Sequence, residues 1–206
     1  RSHGLKPLVG SPGWRAKYPG QILGCDFDCV RSVAGDVDGF LYVGTGRFHP
    51  LGISLSTNKQ VVAINPIVKR SGRFDIDLKD FLRRRKAMIA RATACERFGV
   101  VVSTKPGQAR FKLASTLLCG LRRAGFSAYL LVVDEVRPES LADFELDAFV
   151  CVACPRIPID DAERFEEPVL TPFEAMVMLG ETSFEPYKLD EVRREDFERH
   201  DEKKAA

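Results

Sequence analysis

The chain has 206 residues, of which 45% are hydrophobic and 29% charged, with a formal net charge of +2. That balance fits a soluble globular protein with room for one sizeable core or two smaller ones, and it gives no global pull toward nucleic acid, so none is expected as a direct partner. No apolar run approaches the ~18 residues of a membrane helix and no signal-peptide pattern opens the chain, which predicts a cytoplasmic protein without a membrane partner.

Strands and helices alternate along the chain. Leu5–Val9 reads as a first strand. The run Gln21-Ile22-Leu23-Gly24-Cys25 reads as another, buried, and opens into a loop after Cys25. Gly39–Gly44 and Val61–Ile64 are apolar enough for two more strands. The first of these ends in the turn Gly44-Thr45-Gly46-Arg47-Phe48-His49-Pro50. Pro66, Lys69, Arg70, Ser71 and Gly72 break the pattern and place a boundary over 66–77. A long helix follows, with Asp77 as N-cap and Leu78, Phe81, Leu82, Met88, Ile89, Ala92 and Cys95 as its apolar positions. Gly99–Ser103 is the next strand. Its turn, Ser103-Thr104-Lys105-Pro106-Gly107-Gln108, leads into a helix over Gln108–Ala124 that stops at Gly125.

Ala128–Val133 and Ala148–Ala153 complete the predicted strands. The second delivers Cys154 into the loop Cys154-Pro155-Arg156-Ile157-Pro158. Thr171-Pro172-Phe173-Glu174 starts a last helix, with Thr as cap, Pro at the first helical position and a carboxylate in the first turn. Residues 191–206 are mostly charged and read as a solvated tail. The fold class is therefore α/β: two consecutive domains, 1–70 and 71–190, each a small parallel sheet flanked by helices, with a tail over 191–206.

Chemistry is expected at the carboxyl ends of the strands, where α/β proteins bind ligands. Cys25 and Cys154 both sit there, and two such thiolates suggest a metal or iron–sulfur site if the fold brings them to one hollow. Cys29, Cys95, Cys119 and Cys151 lie in or beside apolar segments and read as small core residues, although Cys29 and Cys151 compete as ligands on spacing. Gly44 and Gly46 in one turn, and Lys105, Gly107 and Gln108 in the other, have the glycine freedom and positive charge that suit an anion. Neither turn matches a nucleotide fingerprint, and ordinary turn chemistry explains both on spacing alone. His49 is read either as a hydrogen-bonded structural group or as a functional one. Asp134-Glu135 could do acid/base work but reads first as capping the next short helix and pairing with nearby arginines, and Asp160-Asp161 reads as a solvated turn. The run Arg83-Arg84-Arg85-Lys86 reads as a solvated helix face.

Taken in order, Gly20-Gln21-Ile22-Leu23-Gly24-Cys25, Gly44-Thr45-Gly46-Arg47-Phe48-His49-Pro50, Ser103-Thr104-Lys105-Pro106-Gly107-Gln108, Val152-Ala153-Cys154-Pro155-Arg156 and Leu170-Thr171-Pro172-Phe173-Glu174 closely resemble the diphthamide synthase family, 2-(3-amino-3-carboxypropyl)histidine synthase, over about residues 18 to 187. The style is similar to archaeal members, in which one protein forms a homodimer. The resemblance implies a pseudo-symmetric fold of three α/β domains around a cavity, each giving one cysteine to a [4Fe–4S] cluster. It assigns Cys25 to the middle domain and Cys154 to the last. An open iron then takes S-adenosylmethionine. An electron donor reduces the cluster, and a 3-amino-3-carboxypropyl radical attacks C2 of a histidine on translation elongation factor 2, the protein substrate. Lys105, Gly107 and Gln108, with Gly44 and Gly46, are the implied cofactor contacts. His49 and Arg156 are the implied catalytic residues, Arg156 offsetting negative charge near the cluster. On this resemblance residue 1 falls inside the middle domain, so the sequence carries two of the three ligands and a cluster held by it alone is expected to be labile. The alternative kept open is a non-catalytic subunit or binding partner that retains the fold; a third is an unrelated phosphate-binding α/β protein.

Overall fold

The computed structural model describes residues 4–74 and 77–197. His3, His200 and the tail beyond residue 197 lie outside the described residues. The chain divides into two compact units. One runs up to Phe81 and takes in Tyr187–Glu191; the other comprises Leu82–Pro186 and continues from Val192.

In the first unit, α1 (Asp28–Arg31) is a single turn, followed by β1 (Gly39–Val43), α2 (Phe48–Thr57), β2 (Gln60–Asn65) and β3 (Arg70–Arg73). β1 and β2 are parallel, with Gly39 opposite Gln60, and α2 is their crossover. β3 returns antiparallel, pairing Arg70 with Asn65. The stretch predicted as an interdomain break is therefore a hairpin in its first half. Its turn is built by Asn65, whose Oδ1 accepts the amides of Ile67 and Val68 at 3.0 and 3.3 Å. Residues 70–73 belong with the first unit because they are hydrogen-bonded to β2.

Two predicted strands are absent. Leu5–Val9 pairs with no strand among the described residues, and Leu5, Leu8 and Val9 are 73%, 53% and 66% exposed. Pro7 lacks the amide a ladder needs, so the apolar content there finds no partner. Gln21–Cys25 is a turn closed by a bridge between Leu23 and Asp26 rather than a strand. Phe27, Val30, Phe48, Leu51, Ile53 and Val61 form the buried side of this unit.

α3 (Leu78–Thr93) begins as the sequence indicates, with Asp77 Oδ1 accepting the Asp80 amide at 2.9 Å. In the second unit come β4 (Arg97–Ser103), α4 (Phe111–Arg123), β5 (Ser127–Val133), α5 (Pro138–Ala142), β6 (Ala148–Cys151), α6 (Arg156–Asp160), β7 (Val169–Leu170) and α7 (Pro172–Met178). The strands are all parallel in the order β5-β4-β6-β7. β4 is buried from Phe98 to Ser103 because both faces are covered. Val100 and Val102 pack with Ala114, Leu117 and Leu121 of α4, while Val101 packs with Leu131, Leu141 and Phe149 on the opposite face. Each such leucine, taken fully from water, contributes about 1.5–3 kcal/mol.

The tail expectation needs correction in part: Val192 and Asp196 are buried. The guanidinium of Arg110, itself 1% exposed, donates from Nε to Asp196 Oδ2 at 2.8 Å and from Nη1 to the carbonyl of Val152 at 3.4 Å. A buried arginine requires a carboxylate, and the segment after Val192 supplies it. The basic run on α3 is likewise not uniformly solvated, since Arg85 is buried.

Candidate functional site

In the second unit, the order β5-β4-β6 means that the chain leaves β4 to one side and then crosses to the other. Such a reversal opens a crevice at the carboxyl ends of the strands. A cavity of about 620 Å³ lies there, lined among others by Ser103, Lys105, Gln108, Glu135, Arg137 and Cys154. The loops after β4, β5 and β6 each contribute.

Hydrogen bonds hold the first of these loops. Ser103 Oγ donates to the Asp134 carbonyl at 2.8 Å and accepts the Lys105 amide at 3.1 Å; the Gln108 amide donates to the Lys105 carbonyl at 3.0 Å. Gly107 turns the chain there at φ 78°. Lys105 Nζ meets Glu135 Oε1 at 2.7 Å, and Arg137 bonds the other carboxylate oxygen. Lys105, then Arg137, holds the Glu135 carboxyl below the usual glutamate range. The cavity wall thus carries two cations around one anion, an arrangement able to accept a further carboxylate.

Cys154 is half-buried on the wall of this cavity, whereas Cys151, at the end of β6, is fully buried. Arg156 starts α6 and bonds Asp160 Oδ2 at 2.8 Å, so it is turned along its own helix and does not line the cavity. That bond keeps its guanidinium firmly charged against the opposing effect of burial, and the negative charge available at Cys154 adds to it. Asp160 and Asp161 pair with Arg156 and Arg164, as befits a charged turn.

The other predicted residues lie in the first unit. Cys25, half-buried, sits in the turn closed by Leu23 and Asp26. Asp26 pins this turn by accepting the Asp28 amide at 3.0 Å and the Arg15 amide at 3.1 Å. Phe27, 0% exposed, inserts under α2, where a Cβ on Gly52 would stand 2.0 Å from its ring. The Cys25 turn is therefore seated directly on the helix that carries His49. Cys29 is buried with its thiol donating to the Gly10 carbonyl at 3.6 Å, and burial raises its pKa. The carboxylates of Asp26, Asp28 and Glu191 lie near one another, but backbone amides and Arg31 occupy them. Gly46 takes φ 80° in the turn before α2, and Gly44 extends β1 by donating its N–H to the Ile64 carbonyl. His49 is in the first turn of α2, not in a loop; its ring stacks on Tyr42 at 5.7 Å.

Each cysteine of the chain is a thiol rather than half of a disulfide. Thiolate is the donor that iron–sulfur clusters use, and the half-buried setting of Cys25 and Cys154 fits ligation better than the closed settings of Cys29 and Cys151.

The diphthamide synthesis protein family matches residues 1–188. The chain belongs to that family. It is 41% identical over 191 residues to 2-(3-amino-3-carboxypropyl)histidine synthase from Pyrococcus horikoshii, covering 93% of this chain and 54% of that protein. The enzyme of that name from Methanocaldococcus jannaschii is 34% identical over 182 residues, 87% of this chain and 51% of the relative. Subunit 1 of the human synthase is 32% identical over 185 residues, covering 88% and 42%. Among solved structures, Dph2 from Pyrococcus horikoshii with a 4Fe-4S cluster superposes with a TM-score of 0.81 at 39% identity, covering 93% of this chain and 53% of that one. The chain spans about half the length of these diphthamide synthesis relatives. Among its described residues, no helix is long and apolar enough to cross a membrane.

Some of the site was not legible beforehand. Glu135 reads as a helix cap with arginines nearby or as half of an acid/base pair, without Lys105 as its partner, and Tyr42 reads only as a strand residue. The signal that could have found Tyr42 is its spacing of seven from His49 across a strand and the start of its crossover helix, but no local pattern marks that pair.

Proposed function

We propose that this chain forms part of a 2-(3-amino-3-carboxypropyl)histidine synthase. In this reading it transfers the 3-amino-3-carboxypropyl group of S-adenosylmethionine to a histidine of translation elongation factor 2, the first step of diphthamide synthesis. The observation that carries the reading is the Cys154 thiol on the wall of a 620 Å³ cavity that Lys105 and Gln108 also line, in a chain similar to a Dph2 with a 4Fe-4S cluster.

Cys25 and Cys154 are the residues that would hold a [4Fe–4S] cluster. When bound, that cluster supplies a reducing electron and an open iron for the methionine portion of S-adenosylmethionine. Lys105 binds the methionine carboxylate, and the side-chain amide of Gln108 orients the same group. Gly107 keeps the loop close enough for backbone amides to join them, and Gly44 and Gly46 shape the corresponding turn of the first unit. Arg156 offsets thiolate charge at Cys154. His49 serves as a proton acceptor. The setting is cytoplasmic, the assembly a homodimer, and the reducing electron comes from a separate donor.

The test is iron and sulfide quantification, with electron spin resonance, on anaerobically prepared full-length protein and its Cys25→Ser and Cys154→Ser variants. The parent is expected to hold a four-iron centre whose signal changes with S-adenosylmethionine, and each variant to lose most of its iron. Undiminished iron in either variant would remove that cysteine from the ligand set.

A further inference from the structure

We infer that Tyr42 is a positioning residue that holds His49 as the Nδ1–H tautomer, making Nε2 the basic nitrogen of the neutral ring. The inference rests on the proposed role of His49 only for its consequence in catalysis; the tautomer itself follows from the hydrogen bonds.

A tyrosine hydroxyl has one proton to give. Tyr42 Oη lies 3.0 Å from the carbonyl oxygen of Thr45, an atom that can only accept. It lies 3.4 Å from Nδ1 of His49. The proton goes to the shorter contact, whose partner has no alternative role. Toward His49 the hydroxyl oxygen is then an acceptor, and Nδ1 must carry the hydrogen.

The surroundings enforce this pairing. Tyr42 is 9% exposed on the β1 face that α2 covers, while Leu41 and Val43 on the opposite face are 64% and 61% exposed. The two rings lie nearly parallel, 18° between planes, and Phe48 meets the imidazole edge-on at 6.2 Å. Gly44 is what admits the hydroxyl. A Cβ there would stand 2.5 Å from Tyr42 Oη and 2.7 Å from Cζ, closer than any side chain tolerates. The first glycine of the Gly44-Thr45-Gly46 turn therefore makes room for the tyrosine hydroxyl, and the Thr45 carbonyl, one residue on, orients it. β1, the turn and the start of α2 together form a device that fixes one proton on one ring nitrogen.

The readout is a long-range proton–nitrogen correlation spectrum of the chain labelled with ¹⁵N-histidine. His49 is assigned among the three histidines by loss of its signals in His49→Gln. The parent is expected to show the Nδ1–H pattern, opposite to the Nε2–H form that free histidine prefers. Tyr42→Phe keeps the ring and removes only the hydroxyl; it is expected to return His49 to the Nε2–H pattern, or to averaged signals, with the backbone amide spectrum otherwise unchanged. An Nε2–H pattern in the parent overturns the inference, as does an Nδ1–H pattern that survives in Tyr42→Phe. The Gly44→Ala variant, whose Cβ displaces the hydroxyl end of the Tyr42 ring, is expected to give the same switch. Failure of the catalytic reading is seen separately, as unchanged transferase activity of full-length His49→Gln.

Discussion

Arg85 and Glu174 form a two-pronged ion pair, Nε to Oε1 and Nη2 to Oε2, each at 2.6 Å, with both side chains almost wholly withdrawn from water. The same guanidinium donates to the carbonyls of Pro158 at 2.7 Å and Val169 at 3.2 Å. Glu174 also completes a capping box with Thr171, accepting its amide at 2.9 Å. One arginine of α3 thus ties α6, β7 and the start of α7 together, and α6 follows directly from Cys154. Arg85→Ala leaves a carboxylate buried without its guanidinium and is expected to cost about 3–5 kcal/mol, measured by urea denaturation. Arg84→Ala is the control: its side chain is 67% exposed and 3.6 Å from Glu163, and it should cost under ~1 kcal/mol.

Cys25, Cys29, Cys151 and Cys154 should separate by burial. Cys154→Ser and Cys25→Ser are expected to lose iron with little change in unfolding midpoint. Cys151→Ser and Cys29→Ser place a hydroxyl in buried positions and should lower stability by roughly 1–3 kcal/mol while retaining iron. Iron content set beside a denaturation curve for each variant checks the sorting; iron loss confined to Cys151→Ser would exchange the assignments.

Gly52→Ala forces the Phe27 ring out of its seat, since the new Cβ would lie 2.0 Å from it. Overpacking of this kind costs about 1–3 kcal/mol, and here it acts on the residue two positions after Cys25. Faster alkylation of Cys25 by iodoacetamide in the variant, with Cys154 unaffected, is the expected result. Equal rates at Cys25 would mean that the turn does not depend on Phe27.

Lys105→Ala removes one cation from the cavity and should weaken methionine-carboxylate binding about tenfold, the effect of losing ~1.4 kcal/mol from a charge-assisted bond. Glu135→Gln works in the opposite direction, because it releases Lys105 and Arg137 from their resident anion. Titration calorimetry of the full-length protein with S-adenosylmethionine measures both. Tighter binding in Lys105→Ala would remove Lys105 from the site.

Hydrogen bonds from the Arg97 side chain and amide hold the Asp147 carboxyl below the usual aspartate range. A carboxylate so depressed stabilises the fold above its unfolded pKa of ~3.9, and that contribution is lost as pH falls through the lower folded value. Asp147→Asn is therefore expected to be less stable than the parent at neutral pH, with the difference closing below a pH of about 4. Chemical denaturation at several pH values checks the sign; a gap that stays constant into acid would contradict it.

The alternation of β4, β5 and β6 with α3 and α4 was legible in the chain because each element carries its own period and its own stop: Asp77 as cap, Gly125 after α4, Thr171-Pro172 before α7. Cys154 and the two glycine-containing turns are legible as strand-end features for the same reason, whereas Cys25 lies in a turn that no strand precedes. Leu5–Val9 and Gln21–Cys25 misled because apolar content says only that a segment can be buried; pairing needs a neighbour and an unbroken line of amides.

What the sequence determined by itself was the class of fold, the family, and the residue types placed at the strand ends, since these depend on local propensity and on spacing along the chain. Tertiary structure alone decided which charges are buried and which atoms meet. Arg85 finds Glu174 across 89 positions, Arg110 finds Asp196 across 86, and Lys105 finds Glu135 across 30. The physical reason is that the cost of burying a charge, or the role of a hydroxyl, is set by a partner's position in space, and no local pattern records where a distant partner will stand.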